Sequence, residues 1–139
     1  MVRFLLDTNI LSEPLRSQPN LTVIQRLTHQ SAELSTASIV YHEILFGCRR
    51  LPESRRRQAI TAYLHNEVET KLVILPYDVE AASWHATERA RLVSNGRTPP
   101  YLDGQIAAIA VVNDLILVTN NTSDYTDFQN LQLQNWFVP

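Results

Sequence analysis

Four acidic residues stand where a chain usually avoids charge or uses it only locally. Asp7 ends the apolar run Val2–Leu6, Glu43 interrupts the apolar segment Ile39–Phe46, Asp103 opens an Ala- and Ile-rich stretch, and Asp124 follows the run Leu115–Val118. Taken singly, Asp7 could make an Asx-turn and Asp103 could place a favourable charge at a helix N-terminus. Glu43, set among Val40, Ile44 and Phe46, is expected to be buried and to need a partner, a proton or a metal to offset its desolvation. As a group the acids say more. Carboxylates crowded together repel one another, and a divalent cation relieves the repulsion. Ligation by oxygen alone, without His or Cys, selects hard ions such as Mg²⁺ or Mn²⁺. A cation of that kind can activate a water against a phosphodiester and steady the developing charge, so the pattern points to metal-assisted phosphoryl chemistry. On this reading Asp7→Ala is expected to abolish such chemistry without unfolding the chain, because it removes one of several mutually repelling charges.

Composition narrows the alternatives. The chain has 139 residues, 45% of them apolar and 19% charged, which suits one folded domain spanning residues 1–139. No apolar run is long enough for a membrane span, and Met1 leads into Val2–Leu6 without a signal-peptide pattern, so a cytoplasmic location is expected. A single cysteine, Cys48, excludes an internal disulfide and a multi-cysteine zinc site. Gly47, Gly96 and Gly104 are too scattered to form a phosphate-cradling loop. The net charge of −2 gives no broad field for nucleic acid, so any such contact must be local. Lys71 is the only lysine among twelve basic residues, and the arginine fork suits bidentate phosphate contacts.

The elements that must position the acids follow from periodicity and breakers. Strands are expected at Val2–Leu6, Glu33–Ala37, Leu72–Leu75 and Leu115–Val118, with a short edge strand within Leu131–Trp136. Helical spacing marks Ile10–Leu15 and Leu21–Leu27, separated by the breaker Ser17-Gln18-Pro19-Asn20. Ser38 is read as the cap of a buried helix running to Cys48, and Glu53–Val68 as a helix with Ile60, Tyr63, Leu64 and Val68 on its apolar side. Asp78 caps Val79–Asn95, with an apolar stripe of Val79, Ala82, Ala86, Ala90 and Val93 and a stop at Gly96. Leu102–Val112 follows Thr98-Pro99-Pro100, and Asp124–Phe128 is expected to form one helical turn. Strands alternating with helical crossovers imply an α/β fold: a Rossmann-like parallel sheet of about four to five strands with helices on both faces. In such sheets ligands bind beyond the carboxyl ends of the strands, where the acids lie.

With those residues in place, the chain resembles the PIN-domain ribonucleases, in particular the VapC and FitB-like toxins of type II toxin–antitoxin pairs. The resemblance rests on FLLDTNIL (Phe4–Leu11), YHEILFG (Tyr41–Gly47), YLDGQIAAIA (Tyr101–Ala110) and LVTNNTSDY (Leu117–Tyr125), and it covers essentially the whole chain. It implies that Asp7, Glu43 and Asp103 are the core metal-site acids and Asp124 a fourth, more variable one. It also implies supporting roles for Asn9, which orients the first acid, and for Thr119, which hydrogen-bonds within the pocket. Asn121 stands where many relatives carry an acid, so the pocket would rely on Asp124 or hold a second metal weakly. Tyr125 replaces the commoner phenylalanine, a change expected to be without effect. The activity implied is endoribonuclease cleavage of single-stranded or loop RNA with Mg²⁺ or Mn²⁺, leaving a 5′-phosphate and a 3′-hydroxyl. The implied partners are a VapB/FitA-like antitoxin, whose C-terminal segment covers the groove and whose other domain binds DNA, and a second copy of the chain in a homodimer.

Other features admit two readings. Arg49, Arg50, Arg55, Arg56 and Arg57 form either a solvated charged face or a phosphate-tracking patch for RNA. His42 is adjacent to Glu43 and so points away from any shared metal, and His29, His65 and His85 lack metal-ligand spacing and suit surface or packing roles. Trp84, Trp136 and Phe137 are expected to pack rather than to stack on bases, and Cys48 has no base partner. Three rival functions remain at this point. One is a PIN-like nuclease acting on structured DNA, and another is a catalytically weakened PIN fold serving as an interaction module. The third is a metal-dependent phosphatase, disfavoured because that class needs a second Asp where this chain has Asn9.

Overall fold

Phe4, Leu5 and Leu6 have no polar face, so a strand made of them must be covered on both sides and flanked on both edges. This requirement centres the sheet on them. The computed structural model describes residues 1–139. Its five strands are β1 (Phe4–Leu6), β2 (Leu34–Ala37), β3 (Val73–Leu75), β4 (Ile116–Val118) and β5 (Gln132–Gln134). All pairings are parallel and the order is β3-β2-β1-β4-β5, with Leu6 opposite Thr36 on one side and Val118 on the other. The chain runs outward from β1 to β3 and then returns to β4 on the far side of β1. The order therefore reverses between β1 and β4, which makes their carboxyl ends the switch point.

Six helices flank this sheet: α1 (Thr8–Leu11), α2 (Leu21–His29), α3 (Ser38–Arg49), α4 (Arg55–Tyr63), α5 (Val79–Ser94) and α6 (Tyr101–Val112). Local chemistry fixes their ends. Asn20, Ser54 and Asp78 each accept a backbone N–H of the first turn, at Val23, Arg57 and Ala81 respectively. Gly96 closes α5 at φ 75°, where the Gly96 and Arg97 amides donate to the carbonyls of Val93 and Leu92. The four-residue spacing of Ile60, Leu64 and Val68 carries α4 into a π-helical turn at Leu64–Glu69. Two polar residues buried within β2 are satisfied by the neighbouring strand, Ser35 Oγ donating to the Phe4 carbonyl and Thr36 Oγ1 to that of Leu6.

The α/β parallel sheet expected from the sequence is the one observed, and four local expectations are corrected. Ser38 is the first residue of α3 rather than its cap; Ala37 occupies the cap position and offers no side-chain bond. That helix buries only Val40, Ile44 and Cys48, a single stripe, and leaves Phe46 half exposed. On α5 the buried residues are Ala81, His85, Glu88 and Leu92, whereas Val79 and Val93 face solvent. The apolar stripe misleads there because the polar residues on the buried side find partners. The turn placed at Asp124–Phe128 lies two residues earlier, as a 3₁₀ turn at Thr122–Asp124. As expected, no helix is long and apolar enough to cross a membrane.

Trp136 closes the core behind β5. It is fully buried, meets Phe4 edge-on at 5.1 Å, carries Arg26 over its face at 4.8 Å and donates from Nε1 to Gln134 at 2.9 Å. Trp136→Ala removes a large buried ring together with these contacts and is expected to lower stability by about 3–5 kcal/mol in urea unfolding. A loss below 1 kcal/mol would mean that the C-terminal segment does not belong to the core.

Candidate active site

The segments that leave the sheet at its switch point bring the acids together. Asp7 follows β1 directly, and its amide extends the ladder by donating to the Val118 carbonyl at 3.0 Å. Glu43 sits in the second turn of α3, Asp103 in the first turn of α6, and Asp124 in the 3₁₀ turn after β4. All four line one open cleft of about 360 Å³, together with Asn9 and Asn121. No basic side chain, histidine or cysteine lines it. A serine or cysteine nucleophile with a histidine base is therefore not the chemistry of this cleft.

Asp7 is buried and is the most heavily bonded of the four. Its Oδ1 accepts the Thr8 amide at 2.8 Å and so caps α1. Its Oδ2 accepts the Thr119 hydroxyl at 2.8 Å, the Tyr125 hydroxyl at 3.3 Å and, at the outer limit of a hydrogen bond, Asn9 Nδ2 at 3.5 Å. Asn9 is itself held by the Asn120 amide at 2.8 Å and by a 3.3 Å bond to Thr119. Thr119 Oγ1 also accepts the Asn121 amide. Asn9 and Thr119 thus lie where the resemblance implies, as supports of Asp7, while Asn121 contributes its backbone to Thr119 and also lines the cleft.

The remaining acids differ in environment. Burial raises the Asp103 carboxyl above its ordinary range, and the charges of Asp124 and Asp7 raise it further; a 3.4 Å bond from Tyr125 works against the rise. Glu43 and Asp124 are exposed, and neither carboxylate accepts a hydrogen bond from the protein. The expectation that Glu43 is desolvated is therefore corrected. It projects from the open side of an amphipathic helix, and its interest lies in which cleft it lines. Relief of repulsion is only part of the effect expected of Asp7→Ala, because alanine would also uncap α1, leave the buried Thr119 hydroxyl without its acceptor and leave the Tyr125 hydroxyl with Asp103 alone. Asp7→Asn keeps a capping oxygen. Asp7→Ala is expected to be less stable than Asp7→Asn by about 1–3 kcal/mol in chemical denaturation, and equal midpoints would refute that dual role.

Three supporting features were not read from the sequence. The Tyr125 hydroxyl, taken there as neutral, bridges Asp7 and Asp103. Gly104 lets α6 lie against His85, since a Cβ at that position would come within 2.1 Å of His85 Nε2. Burial and the neighbouring Arg89 push His85 below its usual range, so it packs as a neutral ring whose Nδ1 meets the Tyr77 hydroxyl at 2.9 Å. An interior helical glycine next to Asp103 was the available signal for this close approach. Third, buried Glu88 pairs with Arg91 at 2.7 and 3.0 Å and accepts the Gln129 amide, fastening the loop that carries Asp124 and Tyr125 onto α5. Arg91 also donates to the Asp127 carbonyl, and Arg97 pairs with the Asp127 carboxylate.

The α3–α4 arginines lie outside the cleft. Arg56 donates to the Leu15 carbonyl, Arg57 to that of Leu51, and Arg50 lies over the Phe46 ring, whereas Arg49 and Arg55 are exposed without such a partner. Cys48 is buried with its thiol against the Arg57 carbonyl, and the tryptophans pack as expected.

The chain is similar to known proteins along most of its length. The PIN domain pattern matches residues 4–129. A VapC ribonuclease, Y4jK, from Sinorhizobium fredii is 32% identical over 123 residues, covering 86% of this chain and 88% of that protein. A tRNA(fMet)-specific endonuclease VapC from Shigella flexneri is 28% identical over 98% of this chain and 99% of its own length. The crystal structure of FitAcB from Neisseria gonorrhoeae superposes with a TM-score of 0.89 at 27% identity, covering 98% of this chain and 99% of that one.

The Arg91 pair holds the Glu88 carboxyl below its ordinary range, and the Gln129 amide adds to the effect. A depressed carboxyl stabilises the fold above its unfolded-state pKa, and the contribution fades as pH falls through the folded-state pKa. Glu88→Gln is expected to destabilise the protein by roughly 1–3 kcal/mol at neutral pH, with the gap to the parent closing at acid pH in melts run across a pH series. A gap independent of pH would show that the Glu88 charge is not what fastens the loop.

Proposed function

The chain belongs to the PIN-domain family, and from that premise we propose that it is a VapC-type toxin that cleaves RNA as a divalent-metal-dependent endoribonuclease. The observation that carries this reading is the cleft itself. Four carboxylates from four separate segments line one open pocket with no cationic side chain to balance them. Such a surface repels a phosphodiester unless a cation intervenes.

The donor set fits a hard cation that keeps most of its water. No three acids converge tightly enough to cage an ion by themselves. Mg²⁺, however, is usually held through one or two carboxylates and retains several waters. Asp7 and Asp103, joined through Tyr125, are the residues that would hold it, and Mn²⁺ would be accepted by the same oxygens. Bound there, the cation would supply charge neutralisation and a more acidic water. Asp7 is kept in place by Thr119, Asn9 and its own helix cap. Glu43 and Asp124, exposed and free of protein donors, are placed to accept hydrogen bonds from water in the cleft and to take its proton. Arg49, Arg50, Arg55 and Arg56 are assigned as contacts for RNA phosphates outside the cleft, with Arg49 and Arg55 the side chains not engaged with a carbonyl or a ring.

The fold match to FitAcB supports a small antitoxin partner of the FitA/VapB kind, and we assign any DNA contacts to that partner. We assign the active form as a homodimer acting in the cytoplasm.

The decisive experiment is cleavage of labelled single-stranded RNA with Mn²⁺, Mg²⁺ or EDTA, with Asp103→Asn purified identically. Metal-dependent cleavage by the parent protein is expected, with a loss of at least 100-fold in the variant. Equal activity in both proteins would remove the assignment. Toxicity on expression, relieved by a co-expressed antitoxin, separates this reading from that of an inactive interaction module.

A further inference from the structure

The Tyr125 hydroxyl lies between two carboxylates that belong to different parts of the fold. It is 3.3 Å from Asp7 Oδ2, at the end of β1, and 3.4 Å from Asp103 Oδ1, in the first turn of α6. Its ring is buried against Phe128, with 2% of the residue exposed, so the hydroxyl has little freedom to turn towards solvent. Carboxylate oxygens only accept, so the hydroxyl that faces two of them is the donor in both contacts. One proton serves two acceptors, so at any moment the hydroxyl compensates one carboxylate while facing the other.

The bonds also divide the carboxylate oxygens. Asp7 Oδ2 takes Thr119, Tyr125 and Asn9, and has no lone pair to spare. Asp7 Oδ1 takes only the Thr8 amide. Asp103 Oδ1 takes Tyr125, whereas its Oδ2 accepts nothing from the protein. We infer that Tyr125 is a positioning residue of the acidic cleft, tying the β1 acid to the α6 acid so that Asp7 Oδ1 and Asp103 Oδ2 are the oxygens presented to a divalent cation. The inference rests on the metal-dependent reading of the site. It makes the phenolic oxygen a determinant of metal affinity, where phenylalanine would provide packing alone. Partners of this kind, bonded to metal-binding carboxylates, typically change affinity by 10–100-fold when removed.

Tyr125→Phe keeps the ring and deletes the oxygen. Mn²⁺ binding is read by the loss of the free-ion electron paramagnetic resonance signal on titration, for the parent, Tyr125→Phe and Asp103→Asn. The Tyr125→Phe dissociation constant is expected to rise about tenfold, with its RNA-cleavage deficit shrinking as Mn²⁺ is raised. An unchanged constant would overturn the inference while leaving the metal reading intact. A parent protein that binds no Mn²⁺ would overturn the metal reading itself. The tie between the acids is tested separately in EDTA by a thermal double-mutant cycle of Tyr125→Phe and Asp103→Ala. The effect of Tyr125→Phe should be smaller when Asp103 is absent, and strict additivity would show that no tie exists.

Discussion

The Asp7 carboxylate is the point on which the carboxyl end of the sheet depends. It caps the helix that follows β1, and it accepts bonds from Thr119 at the end of β4 and from Tyr125 in the loop beyond. These are the three chain segments that meet where the strand order reverses. A neutral apolar residue at that position would leave the buried Thr119 hydroxyl without its acceptor, at a cost of about 1–3 kcal/mol, would uncap α1 and would leave the Tyr125 hydroxyl with Asp103 alone. The group assigned to the proposed chemistry is therefore also the group that closes the fold around it, and the candidate site is built into the switch point.

The same constraint explains why some features were legible in the sequence and others were not. Apolar runs that stop at a polar turn, such as Val2–Leu6 before Asp7 and Leu115–Val118 before Thr119, located strands and site together, because a buried parallel strand has to release its chain at the sheet edge. Glu43 was selected for a reason that does not hold, since the helix that carries it turns an open side to solvent and leaves Phe46 half exposed. Its inclusion stands on geometry alone. On α5 the apolar stripe pointed away from the core, because His85 and Glu88 are buried through partners distant in sequence: α6 by way of Gly104, and the Gln129 amide. Periodicity counts apolar character and cannot register a polar residue whose partner lies some forty positions further along the chain.

Tyr125 illustrates a different limit. As a sequence change from phenylalanine it looks conservative, since the ring volume is kept. The added oxygen falls between two anions, and only the three-dimensional arrangement shows that. Glu88, Arg91, Arg97 and Asp127 extend the same logic outward. They hold the loop of the β4–β5 crossover against α5, so that the hydroxyl and Asp124 arrive at the cleft from a segment with little regular structure of its own.

Magnitudes show how closely matched the forces on the two acids are. Two carboxylate oxygens bridged by one hydroxyl are no more than ~7 Å apart, and at an effective dielectric near ~20 they repel by about 2 kcal/mol. A hydroxyl bond to a carboxylate returns on the order of 1.5 kcal/mol, and its single proton serves one acceptor at a time. Repulsion and this one bond are therefore of the same size, and Asp124 adds to the repulsion felt by Asp103. Burial is the largest cause of the raised Asp103 carboxyl, and the charges of Asp124 and Asp7 raise it further. The protein meets these acids with hydrogen bonds and supplies no positive side chain in the cleft. On the proposed metal-dependent reading, this balance suits a site that holds its shape without a cation and still gains by binding one, and the exposed carboxylates of Glu43 and Asp124 are the ones assigned to water.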